Sequence, residues 1–243
     1  MSAKGPEIVV LIAPVHDCLN PVKIEPGGKK IDPSSLRWIL NPSDAFALEE
    51  ALRVRDVIAG TRVSVMAVAP SDSEEVVREC LAVGADEAVR IWEDRMEGSD
   101  SYATATVLAA ALGKQSFDLI LSGWRRADLE NGQVGPALAE ILGLPQVTGA
   151  RKVVPAENDT RIRVHKRVPG YLTKLACPLP ALVTMEKGQV LRYPSLAGRH
   201  RAVRTEIPCL GLDAIGLREE NAGVSGSTTR LERFTPPKPT RRS

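Results

Sequence analysis

Residues 41–69, NPSDAFALEEALRVRDVIAGTRVSVMAVA, read as a helix that turns at a glycine straight into a strand. Asn41 suits the N-cap, Pro42 the first helical position, and Asp44 the first turn, where the helix dipole favours a carboxylate. Ala47, Ala51, Val54 and Ile58, flanked by Leu48 and Leu52, recur at helical spacing, and Gly60 ends the run. Glu49 and Glu50 fall beside this stripe and are expected to be solvated. Residues 62–69 then form a short apolar segment of the kind buried in a sheet.

The same rhythm extends in both directions. Upstream, EIVVLIA (7–13) is a continuous β-rich run, as in a strand covered on both faces. Downstream, the pattern predicts a helix over 73–83, a strand over 86–91, an Ala-rich helix over 101–113 and a strand over 117–121. A polar, glycine-containing loop follows, then a helix over 133–142 and a short strand over 146–149. Such alternation implies a doubly wound, mostly parallel α/β sheet of the Rossmann-like, adenine-nucleotide-binding kind.

After residue 150 the period shortens. Segments 151–156, 160–168 and 171–176 read as added antiparallel hairpin strands, separated by Glu157-Asn158-Asp159 and Pro169-Gly170, and 180–184 as one more buried strand. From about 187 no strong periodicity remains, and FTPPKPTRRS (234–243) has the composition of a mobile tail. The expected organisation is a nucleotide-binding α/β domain over 1–186, followed by a recognition loop and C-terminal arm over 187–243.

Composition excludes several classes. With 43% hydrophobic and 26% charged residues, the chain matches an ordinary globular protein. A net charge of +2 and 4% aromatic residues give no argument for nucleic acid or for direct membrane insertion. Cys18, Cys80, Cys177 and Cys209 form no CxxC pair and have only three histidines beside them, which argues against a zinc or iron–sulfur site. They are expected to be small hydrophobes in a reducing compartment. MSAKGPE leads into an apolar run too short to span a bilayer, with no signal-peptide pattern, so a cytoplasmic location is expected.

In an open parallel sheet, ligands bind beyond the carboxyl ends of the strands, where strand order reverses. Three strand ends fit: Ala13-Pro14-Val15, Val68-Ala69-Pro70, and the loop GWRRADLENGQVGP (123–136). In that loop Gly132 and Gly135 bracket Gln133 and Val134 at an expected helix start. Backbone N–H groups and the helix dipole favour an anion there by roughly 0.3–2 kcal/mol. Asp128 and Asn131 offer hydrogen bonds to a ribose or base edge. GxGxxG, GxxxxGK(S/T) and GxSxG are all missing, and His16, His165 and His200 are scattered, so no catalytic apparatus of its own is expected.

The phrases NPSDAFALEEALRVRD (41–56), GQVGPALAEILGLPQVT (132–148), LPALVT (179–184) and LRYPSL (191–196) occur together across nearly the whole chain. Together they resemble the electron transfer flavoprotein β-subunit family, which includes the FixA-type proteins. The resemblance implies an α-subunit partner holding the redox FAD near the interface, and AMP or a second FAD in this subunit. It implies a pocket built from Ala13, Asn41, Pro42, Ser43, Asp44 and Val68. From the loop it adds Gly123, Arg125, Arg126, Asp128, Glu130, Asn131, Gly132, Gln133 and Val134. It also implies a recognition loop, RYPSLAGRH, whose Leu196 anchors on partner dehydrogenases beside Arg192, Tyr193 and Arg199. A lone exposed leucine ringed by cations suits that role.

Departures from the family pattern are Arg125-Arg126 for a usual Gln-Ala, Leu129 for a small or acidic residue, Glu130 for Asp, and Pro169-Gly170-Tyr171 for an acidic-Gly-Gly turn. The wording QVGP and the tail GSTTRLERFTPP (226–237) lean towards the FixA-like, electron-bifurcating branch. The implied function is shuttling of electrons, with the α subunit, from dehydrogenases or NADH to a quinone oxidoreductase or other acceptor. The alternative is a stand-alone adenine-nucleotide-binding stress protein. Its Gly-x2-Gly-x9-Gly-Ser/Thr motif begins at Gly132 and Gly135 but meets Pro145 where the third glycine should stand. An ATP-dependent ligase domain would need Ser-Gly-Gly-x-Asp-Ser where Ala13-Pro14-Val15-His16 stands. Neither explains the hairpins and arm.

Overall fold

Strand β1 (Glu7–Ile12) is buried from Ile8 to Ile12, because its side chains alternate between two apolar layers. The structure is a computed structural model that describes residues 5–17, 19, 23–25, 32, 36–155 and 160–232. β2 (Pro14–His16) and β3 (Trp38–Leu40) pair as a small antiparallel ribbon. There follow α1 (Pro42–Val57), β4 (Arg62–Val68), α2 (Glu74–Val83), β5 (Glu87–Ile91), α3 (Ser101–Leu112), β6 (Leu119–Gly123) and α4 (Val134–Leu142). Next come β7 (Gln146–Pro155), β8 (Arg161–Val168), β9 (Tyr171–Pro178) and β10 (Ala181–Met185). The described chain ends with α5 (Leu196–Arg204), β11 (Cys209–Leu210), α6 (Leu212–Ile215) and α7 (Gly223–Gly226).

The main sheet runs β11-β5-β4-β1-β6-β10-β7-β8-β9. It is parallel from β11 to β7, and β8 and β9 add antiparallel. The chain steps from β1 outward to β4 and β5, then returns to β6 on the opposite side of β1. The reversal point therefore lies between β1 and β6. Ile8, Val10 and Ile12 face α1 and α2, with Leu48, Leu52 and Leu81. Val9 and Leu11 face α3 and α4, with Leu108, Leu112 and Leu138.

Two local expectations change. Residues 146–149 and 151–156, read as separate strands, are one strand, β7. Its first half pairs with β10 and its second half with β8, and both ladders shift register near Ala150. Gly149, with φ 68°, takes the left-handed conformation at that bend. The turn at Pro169-Gly170 forms as read, with Gly170 at φ 84°. Glu49 and Glu50 are not solvated but buried. Glu50 accepts the N–H of Val153 at 2.6 Å, which fixes β7 to α1, and burial pushes its carboxyl up.

The region after 187 holds a nine-residue helix, α5, that lacks an apolar stripe because only Ala202 is buried. Polar contacts hold it instead. Arg78 of α2 donates to the carbonyls of Ala202 and Thr205, while Arg201 of α5 donates to those of Leu81 and Ala85. A Cβ on Gly198 would strike the Ala82 carbonyl, so glycine permits the close approach. β11 then pairs with β5 and extends the sheet. The tail FTPPKPTRRS, Cys18 and the turn Glu157-Asn158-Asp159 lie outside the described residues. Among the described residues no helix is long and apolar enough to cross a membrane, and no group of three His, Cys, Asp or Glu side chains could hold a metal ion.

Candidate functional site

Asp44, in the first turn of α1, is buried. Its Oδ2 accepts the Ala13 N–H at 2.7 Å and its Oδ1 the Gly123 N–H at 2.8 Å. One carboxylate thus ties together the carboxyl ends of β1 and β6 where their own ladder has stopped at Leu11 and Ser122. A Cβ on Gly123 would collide with that carboxylate, so the approach requires glycine. Burial pushes the Asp44 carboxyl up to about 7, opposed by the hydrogen bonds from Ala13, Asn41 and Gly123 and by the charge of Arg126.

Asn41 stands at the N-cap of α1 but does not cap it with its side chain. The amide instead donates to the Arg125 carbonyl at 3.0 Å and accepts the Ala127 N–H at 3.1 Å, while the Ser43 hydroxyl donates to the same Arg125 carbonyl at 2.6 Å. The Asn-Pro-Ser turn therefore grips the loop after β6. Within that loop Arg126 engages both oxygens of Asp128, at 2.9 and 2.6 Å. Arg125 pairs with Glu130 at 2.7 Å and lies 4.9 Å from the centre of the Trp124 ring. Glu130 closes the turn in a left-handed conformation, φ 54°, donating its N–H to Arg126.

Beyond the strand ends opens a cleft of about 610 Å³, within the usual range for a small-molecule site. Its lining brings together Ala13, Asn41, Asp44, Val68, Gly123, Arg125, Arg126, Asn131, Gly132 and Val134. Pro42, Ser43 and Glu130 face a neighbouring hollow of about 280 Å³ instead. Asp128 is turned onto Arg126, and Gln133 is exposed at the N-cap of α4 without a side-chain cap. Leu129 is 60% exposed, at the rim, and does not fill the cleft.

Two helix starts face this space, and they differ. At α3 the dipole is already answered: Asp100 accepts the N–H groups of Tyr102 and Ala103, each at 2.9 Å. Its second oxygen accepts the N–H groups of Thr228 and Thr229, both at 2.8 Å, and their hydroxyls. Partial desolvation opposes ionisation of Asp100. The hydrogen bonds from Ala103, Thr229 and Thr228 outweigh it and hold the carboxyl well below the usual range. At α4 the start is uncapped, and Pro136 brings no N–H, so Val134 and Gly135 carry the open donors of the first turn. A Cβ on Gly135 would lie 2.5 Å from the Thr184 methyl, so α4 starts hard against β10. Nearby, Asn131 donates to the Ser101 hydroxyl at 2.9 Å, and its buried Oδ1 has no hydrogen-bond partner. These are features of an anion and hydroxyl site aimed at α4.

The strand-end reading missed the wall formed after β5: Trp92, Asp94 and the stretch Met96 to Ser101. The signal was present, because β5 ends on the same edge as β4 and a Gly-Ser-Asp-Ser run precedes an Ala-rich helix. We expect Asp100→Ala to destabilise the fold by about 1–2 kcal/mol through loss of the α3 cap, and to free residues 226–229. Urea unfolding and limited proteolysis check both effects.

The recognition segment is displayed and braced. Tyr193 is 94% and Leu196 86% exposed, Leu196 opening α5 behind the N-cap Ser195. Arg199 is exposed. Arg192 is not a free rim cation: it engages Glu49 through Nε at 3.0 Å and Nη2 at 2.9 Å, and Asp56 at 2.8 Å. Those bonds, first to Glu49 and then to Asp56, push its guanidinium pKa up. Arg192 therefore pins the segment to α1.

The family model described as Electron transfer flavoprotein domain matches residues 29–207. The electron transfer flavoprotein subunit beta of Thermoanaerobacterium thermosaccharolyticum is 37% identical over 226 residues, 92% of this chain and 85% of its own. Subunit CarD of the caffeyl-CoA reductase-Etf complex of Acetobacterium woodii is 36% identical over 90% of this chain and 84% of its own. The FixA protein of Azotobacter vinelandii is 34% identical over 95% of this chain and 84% of its own. With this breadth of match over a doubly wound sheet, the chain belongs to the electron transfer flavoprotein β-subunit family.

Proposed function

We propose that this chain pairs with a flavin-carrying α subunit and holds an adenylate in the cleft clasped by Asp44. The pair then passes electrons from dehydrogenases or NADH to a quinone oxidoreductase or another acceptor. The observation that carries the reading is the junction of β1 and β6, which Asp44 fixes on one side while the uncapped start of α4 faces it across the cleft. Phosphate oxygens suit the Val134 and Gly135 N–H groups, and a ribose hydroxyl or adenine amino group suits the unpartnered Asn131 oxygen. The adenylate is that of AMP, with a structural role, or of a second FAD. A bound flavin would supply the electron chemistry; this chain's residues bind, orient and exclude water.

Subunit names among the relatives support the pairing. The displayed Leu196 and Tyr193 support docking of electron-exchange partners, and residues 187–243 are assigned to recognition and to contact with the α subunit. Flavin extracted from the purified heterodimer tests the reading. One flavin marks the AMP type and two the bifurcating type, whereas a colourless complex would sink it.

A further inference from the structure

Arg90 of β5 is a buried cation with little to hold it. Its Nη1 donates to the Ala69 carbonyl at 3.2 Å, its Nη2 lies 3.5 Å from Glu74, and its buried Nε has no hydrogen-bond partner. A buried guanidinium so weakly paired costs stability that an apolar side chain of similar size would not, so packing alone does not explain it. Glu74, the first residue of α2, is shared. Its Oε1 also accepts Arg78 Nη2 at 2.8 Å. Arg78 Nη1 in turn donates to the Ala202 and Thr205 carbonyls at the end of α5, at 2.6 and 2.9 Å.

The two ends of this chain of charges lie at the cleft and at the recognition helix. Ala69 opens the stretch Ala69 to Asp72, which walls the cleft. One short turn, Ser71–Ser73, separates that wall from Glu74. The Ser73 hydroxyl closes the turn on the Pro70 carbonyl at 2.8 Å and does not cap α2. Glu74 is thus tied to the wall twice, by the backbone and through Arg90. At the other end, α5 opens with Leu196. Seating α5 does not itself require the Arg90 link, because Arg201 already fixes the helix through the Leu81 and Ala85 carbonyls. What Arg90 adds is a connection between α5 and the cleft.

We propose that Glu74 is a positioning residue that couples occupancy of the cleft to the order of α5, an inference that rests on the adenylate and docking readings above. A nucleotide that orders residues 69–72 fixes Glu74, and Glu74 fixes Arg78. Arg78 then holds the last turn of α5, so local opening of the helix that presents Leu196 becomes rarer. By reciprocity, a partner seated on α5 slows loss of the adenylate.

Hydrogen exchange of the α5 amides tests this in the full chain co-purified with its α subunit, with AMP as the probe, removed and then restored. Wild-type exchange over residues 199–205 is expected to slow at least roughly fivefold when AMP is added. Glu74→Gln and Arg90→Met are each expected to bring that ratio close to one while still binding AMP. Arg90→Met replaces the buried charge with an apolar chain and keeps the Glu74–Arg78 pair, so it carries the test if Glu74→Gln does not fold. Arg201→Met is the control, expected to loosen α5 in both states and keep the ratio. AMP that binds without slowing α5 in the wild type overturns the proposal, and so does a wild-type ratio in Arg90→Met. A ratio abolished equally by Arg201→Met overturns it as well, because loosening of α5 would then suffice. Failure of the wild-type complex to bind AMP at all instead contradicts the adenylate reading.

Discussion

Asp44→Ala is expected to empty the cleft: affinity for this subunit's adenylate falls at least roughly tenfold, the equivalent of 1.4 kcal/mol or more, and the adenylate recovered with the purified complex drops towards the share that belongs to the α-subunit flavin. The substitution leaves the N–H groups of Ala13 and Gly123 without the oxygens that hold the two strand ends at one separation. Each orphaned donor costs about 1–3 kcal/mol. Against that stands relief of a buried charge. The folded carboxyl pKa, about 7, is raised above its ordinary 3.8. A raised acid stabilises the fold at low pH and loses that contribution as pH climbs from about 4 through 7, by about 4 kcal/mol over the roughly three-unit gap. The two effects are comparable at alkaline pH, so the stability deficit of the variant should be large at pH 5 and small at pH 8. Urea unfolding at the two values checks the sign. A deficit that grows with pH would show that the carboxylate form is the one the fold prefers.

Leu196→Ala should act on partners and on nothing else. The side chain is 86% exposed, so its loss removes almost no buried area from the fold and leaves melting temperature and bound adenylate unchanged. α5 is rigidly seated through Arg78, Arg201 and Gly198, and Arg192 pins the preceding segment through Glu49. The leucine is therefore presented without an ordering cost, which is how a small anchor contributes strongly. Truncating such an anchor costs about 2 kcal/mol or more, roughly thirtyfold in affinity for the docked dehydrogenase or acceptor. Electron-transfer rates measured against partner concentration reveal the effect. Rates that match wild type at every concentration would remove Leu196 from the interface.

Much of this architecture is legible in the sequence wherever one local rule dominates. Buried parallel strands have no polar face, so EIVVLIA and RVSVMAVA announce themselves. Pro169-Gly170 has one good use, and the glycines at 132 and 135 mark the start of α4. What escaped depends on distance. Glu49 and Glu50 look like solvent-facing helix residues until Arg192 and the Val153 N–H, more than 100 residues away, arrive to satisfy them. Asn41 carries an N-cap signature, yet the loop after β6 competes for its side chain and wins. α5 has no apolar period to read because arginine-to-carbonyl bonds hold it, and β7 reads as two strands because its partners change halfway. The wall after β5 was readable and overlooked, since the strand-end rule applies to that strand as it does to its neighbours.

The decisive measurement is the count of adenylate groups in the purified heterodimer after denaturation and phosphodiesterase digestion, which converts FAD to AMP. Two per heterodimer are expected, one from the flavin of the α subunit and one from the Asp44 cleft, whether the latter holds AMP or FAD. A count of one, with the flavin present, would mean that the space between β1, β6 and α4 binds no nucleotide.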